Sequence, residues 1–156
     1  MKLKLTFLAL ALAAPPLIAA EPWPSFAEVR SRYRETNDMG RVSYLYRRCA
    51  ALQLNVAALL VRRKQTDMAQ KYESLANNYM ILSEQVDIQL DRKQGRKSKK
   101  PMETVSLAVK YLSESYNQRM NDNLRKHGAH FSGDQVLEAE LAECVDVDQF
   151  VKSFKN

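Results

Sequence analysis

Glycine and proline are scarce in this 156-residue chain, with four of one and five of the other. Pro15, Pro16, Pro22 and Pro24 all lie near the start, and from Ser25 onward Pro101 stands alone. Long stretches without breakers favour long helices. Strand-like alternation of useful length is missing, as is any internal repeat. Gly40, Gly95, Gly128 and Gly133 are isolated, which excludes a glycine-rich phosphate loop. No Gly-x-Ser-x-Gly turn is present to carry a nucleophilic serine. The only cysteines, Cys49 and Cys144, form neither a Cys-x-x-Cys redox pair nor a haem attachment site. A long apolar run is lacking too. The longest candidate, Leu5 to Ala14, stops at Pro15-Pro16, well short of the roughly 20 residues a spanning helix needs.

What is present at the start is a secretory layout. Lys2 and Lys4 precede the apolar run, and Ala19-Ala20 give way to Glu21. Residues 1–20 therefore read as a cleaved signal peptide, with periplasmic or secreted localisation and bacterial export as the expectation. Removing it takes away two of the 24 basic residues and no acidic ones, which lowers the net charge from +6 to +4. So mild a bias argues against a specific nucleic-acid binder. Residues 21–156 read as a single helical domain with no transmembrane segment, entered through an extended arm over 21–25 that holds Trp23.

Ser25 and Glu28 have capping-box spacing, so a first helix is expected from about Phe26 to Glu35, followed by a turn at Asn37 to Gly40. Val42, Leu45, Cys49, Leu52, Val56 and Leu59 recur at steps of three and four and predict a second helix to about Arg63. Met68, Tyr72, Leu75, Tyr79, Leu82, Val86 and Leu90 predict a third, out of phase with the second, so a break is placed near Lys64 to Thr66; one continuous helix is the alternative. A basic loop over 92–101 follows. Pro101 then opens a fourth helix with the stripe Val105, Val109, Leu112, Tyr116, Met120 and Leu124, ended by Gly128. Asp134 caps a fifth helix that turns Leu137, Leu141 and Cys144 inward, and Val147, Phe150, Val151 and Phe154 continue the pattern weakly. The expected fold is an all-α antiparallel bundle of four to five helices.

Cys49 and Cys144 both fall on apolar stripes, and helix tilt can absorb their difference in depth along the bundle. In an oxidising compartment they are expected to form one disulfide that ties the last helix to the first long one. Buried free thiols and a pair of intermolecular bonds are the alternatives.

Candidate chemistry is thin. His127 and His130 are spaced by three, but Gly128 interrupts them and no third histidine exists, so two solvated loop histidines are expected and no metal site is assigned. Glu140 and Glu143 are neighbours on a helix whose carboxylates read as a solvated face. No cofactor is implied. The basic loop is the best functional candidate: Arg92, Lys93, Arg96, Lys97, Lys99 and Lys100 lie within nine residues and suit an anionic envelope surface, a polyanion or an acidic protein face. A solvated loop, or one neutralised by the acidic residues of 134–148, is the competing reading. Trp23 is a candidate partner anchor, or else docks the arm on its own bundle. The leading expectation is a non-enzymatic exported protein that binds another, still unidentified protein in an inhibitory, immunity, assembly or chaperone role. A module for anionic envelope surfaces comes second, and an enzyme of unassigned class third. The heptad stripes also admit a homodimer seam.

Overall fold

A computed structural model describes residues 24–97 and 100–154, without the side chains of residues 147 and 148. The expected signal peptide, Trp23 and Lys99 lie outside the described residues. Within them the chain forms six helices in the order α1 (Phe26–Thr36), α2 (Met39–Arg62), α3 (Thr66–Lys93), α4 (Pro101–His127), α5 (Gln135–Glu143) and α6 (Val147–Lys152). The all-α bundle expected from the sequence is the observed architecture. The weak apolar pattern at the tail is a separate sixth helix.

Local chemistry explains the boundaries. Ser25 accepts from the Glu28 N–H at 3.2 Å, and the Glu28 carboxylate accepts from the Ser25 N–H at 2.6 Å, completing the capping box at α1. Asn37 ends α1 with φ 52°, a left-handed conformation that asparagine tolerates. The turn expected at Asn37 to Gly40 is shorter than that. Asp38 accepts from the Gly40 N–H at 2.9 Å and starts α2 at Met39. The break between α2 and α3 falls where the change of phase placed it. Lys64 takes φ 60°, and the amides of Arg63, Lys64 and Gln65 close back on the carbonyls of Leu60 and Val61. Gly128, at φ 73°, ends α4 and donates its N–H to the Leu124 carbonyl at 2.9 Å.

The three long helices have 24, 28 and 27 residues, so each spans roughly 36–42 Å. Helix α2 is the central one. Between Val42 and Ala57 every residue is buried except Tyr44, Arg47 and Leu54. Helix α3 packs against it closely, and here the sequence reading needs correction. Met68 heads the expected stripe yet is 47% exposed, while Ala69, Ala76 and Ser83 are buried. Those three residues are spaced by seven and present a small-residue seam to α2. Tyr79 and Val86 of the expected stripe are buried too, so the stripe found the inward side but not the small residues that line it. Ser43 of α2 meets Ser83 across this seam, oxygen to oxygen, at 2.8 Å. On α4, Val105, Val109, Tyr116 and Met120 are buried as expected, but Leu124 is substantially exposed. Asn123 goes inward instead, because its side-chain amide donates to the carbonyls of Ala129 and Ser132 at 2.9 and 3.0 Å and so holds the α4–α5 connection.

The C-terminal segment closes the core. Cys49 and Cys144 are disulfide-bonded with their Cα atoms 5.4 Å apart. Phe150 packs edge-on against Phe26 and Tyr79, with ring centroids 5.7 Å apart in both pairs, and Phe154 lies 5.9 Å from Tyr46.

Candidate functional site

The antiparallel order α3–loop–α4 puts the basic loop at one end of a helical hairpin. In it Arg92, Lys93, Arg96, Lys97 and Lys100 are exposed. Arg96 Nε lies 3.1 Å from Asp91, which also receives the Arg96 backbone N–H at 2.8 Å through its carbonyl. Lys100 Nζ lies 2.7 Å from Glu103. Among the described residues Arg92, Lys93 and Lys97 carry no ion pair, so much of the loop charge faces solvent. Among the described residues no ion pair joins the loop to the acidic segment 134–148, contrary to one of the expectations. Three of its carboxylates are engaged elsewhere: Asp134 with Arg119, Glu140 with Arg48 and Glu143 with Arg30.

Below the loop the outer face of the hairpin carries apolar side chains. Leu107 and Tyr111 are one turn apart on α4 and are 53% and 61% exposed, and Ile81 of α3 is 45% exposed. Tyr111 stands in solvent. Leu107 and Ile81 drew no attention in the sequence because they lie off the core stripes. That displacement was the available signal: apolar residues spaced by four on the polar side of a helix have no internal partner to explain them.

The second departure is interior. Glu140, read as part of a solvated face, is only 2% exposed and forms an ion pair with Arg48, which is fully buried. Tyr116 donates its hydroxyl to the same carboxylate and accepts from Arg48 Nε at 3.2 Å. Arg48 also donates to the Pro24 carbonyl at 2.6 Å and lies 4.8 Å from the Phe26 ring centroid. Burial raises the Glu140 carboxyl above its ordinary value, against the pull of Arg48 and the Tyr116 hydrogen bond. Burial, reinforced by the Glu140 charge, drives the Tyr116 phenol well above its ordinary value. These groups satisfy one another inside the bundle, so their arrangement ties α5 to α2 and α4. The Cys144 carbonyl adds to that tie by accepting from Gln53 at 2.6 Å and from the Tyr79 hydroxyl at 3.3 Å.

Of the two histidines, His130 differs from expectation. His127 is exposed and packs over Gly133, but His130 is half-buried and its Nδ1 is shielded from solvent with no hydrogen-bond partner. Among the described residues no group of three histidine, cysteine or acidic side chains is placed to hold a metal ion. No described helix is long and apolar enough to cross a membrane. In comparisons with known proteins, no family model, curated protein or solved structure matches the chain.

Proposed function

We propose that this chain is an exported, non-enzymatic interaction protein that binds another protein through the outer face of the α3–α4 hairpin. The observation that carries the reading is the exposure of Leu107 and Tyr111 on the hairpin below a loop in which Arg92, Lys93 and Lys97 have no ion pair among the described residues. Aromatic and aliphatic anchors with a charged rim are the usual anatomy of a protein interface. The matching partner surface is an apolar patch edged by carboxylates. Inhibitor, immunity, assembly and chaperone roles all use such a surface. The Cys49–Cys144 bridge supports export, because disulfides persist in oxidising compartments.

The second reading, binding of anionic envelope surfaces by the loop alone, is favoured by Arg92, Lys93 and Lys97 lacking carboxylate partners among the described residues. One experiment separates the two. Mature, oxidised protein is immobilised and exposed to native envelope extract, then eluted with stepped salt. Two variants run beside it: Leu107→Ser with Tyr111→Ser, and all six loop cations replaced by glutamine. The interface reading expects one protein retained at high salt by the native chain and the loop variant but lost by the hairpin variant. Retention that vanishes at modest salt and in the loop variant alone assigns the function to the loop, because exposed charges are screened over about 8–10 Å at physiological ionic strength.

A further inference from the structure

At the end of the bundle opposite the basic loop, α2 and α4 finish side by side, because each is followed or preceded by the antiparallel α3. Between the end of α2 and the α4–α5 connection lies a cavity of about 340 Å³. Its apolar walls include Val56, Leu59, Leu60, Leu124 and Phe131, and Arg63, His130 and Ser132 are its polar members. Small-molecule sites of roughly 300–1,000 Å³ have this composition, an apolar body with few polar groups.

Three features define what fits. First, His130 Nδ1 is a shielded nitrogen without a partner, and an unpaired polar atom of that kind is costly. Second, the fold gathers cations here that are dispersed in the sequence. Arg62, Arg63 and Lys64 end α2 while Arg125 and Lys126 end α4. Asp122 is taken by Arg125 and Asp134 by Arg119, leaving Arg62, Arg63, Lys64 and Lys126 without ion pairs among the described residues. Third, the helix ends consume little of this charge. The terminal carbonyls of Leu59, Leu60, Val61 and Leu124 already accept backbone N–H groups from the following turns. Of these cations Arg63 lines the cavity, and apolar walls beside its guanidinium call for a ligand with a single apolar chain and an anionic head.

We propose that this cavity binds a single-chain amphipathic carboxylate, with its chain against Leu59, Leu60, Leu124 and Phe131. The head group pairs with the Arg63 guanidinium, beside the His130 ring. The site is separate from the hairpin face and does not depend on what that face binds.

Titration calorimetry with decanoate, kept below micelle formation, tests the proposal on the mature oxidised protein. Saturable one-to-one binding is expected, with acetate and decanol each much weaker because one lacks the chain and the other the charge. Arg63 and Leu124 are both exposed, so their variants should keep the fold, and thermal unfolding of each checks this. Arg63→Gln should weaken binding by about ten-fold, the effect of losing one charge-assisted hydrogen bond. Leu124→Asp should abolish it by placing a carboxylate in the apolar wall. Replacement of the six loop cations should leave affinity unchanged. Decanol binding as tightly as decanoate, unchanged affinity in folded Leu124→Asp, or loss of binding in the loop variant would each overturn the site. So would failure of decanoate to bind while anionic phospholipid vesicles do, since that outcome assigns the cations to a flat membrane surface.

Discussion

Arg48 and Glu140 show what one buried pair does in a small domain. Neither side chain reaches water, and each is satisfied by the other, by Tyr116 and, for Arg48, by a backbone carbonyl. Removing one partner strands the other as an uncompensated charge, which costs far more than the pair itself contributes. Glu140→Ala should therefore destabilise the protein by about 3–5 kcal/mol in urea unfolding. Combining Glu140→Leu with Arg48→Met should recover most of that loss, because both charges then leave together. A double variant no more stable than Glu140→Ala would mean that the cost lies in packing and not in charge.

The short helices α5 and α6 are held to the long ones by specific ties. Nine residues of α5 cannot sustain a helix alone in water. The Cys49–Cys144 bridge, which joins residues 95 positions apart in sequence, holds α5 against α2, and the Gln53 amide and Tyr79 hydroxyl on the Cys144 carbonyl fix its end. Opening the bridge by Cys49→Ala with Cys144→Ala should lower stability by about 4–5 kcal/mol if chain entropy is the main effect. The loss should also be local. Amide exchange should quicken in α5 and α6 more than in the middle of α2. Uniform acceleration across all helices would show that the tail is an integral part of the core instead.

At the scale of the whole molecule, acid stability is a sum of opposed shifts. Burial alone would raise the Asp134 carboxyl, but hydrogen bonds from Arg119 and from the Val136 and Leu137 amides outweigh it and hold the group below its ordinary value of 3.8. A carboxyl depressed in the folded state stabilises above its unfolded pKa, and that contribution is lost as pH falls through the folded value. Glu140 is shifted upward, so its contribution has the opposite sign: it is present below the unfolded value and lost as pH rises through the folded one. Asp134→Asn should therefore cost stability at about pH 6 and much less near pH 3, as read from denaturant midpoints. A stability gap that stays constant between the two would show that Asp134 acts as a neutral cap for α5 and not through its charge.

The helical class, the breaks at Lys64 and Gly128 and the inward faces of α2 and α4 were legible in the sequence alone. Each is set by local rules: apolar spacing, a change of phase, a capping residue, a left-handed stop. The disulfide was legible because both cysteines sit on apolar stripes. The seam of α3 was not, since Ala69, Ala76 and Ser83 become a contact face only when α2 comes close enough to need small residues. Glu140 was read as solvated because its burial depends on an arginine 92 residues away in sequence. The hairpin face and the cavity beside His130 are likewise products of topology. Spacing along a helix reports which residues share a face, but only packing decides what that face meets, and so which side chains remain for a partner or a ligand.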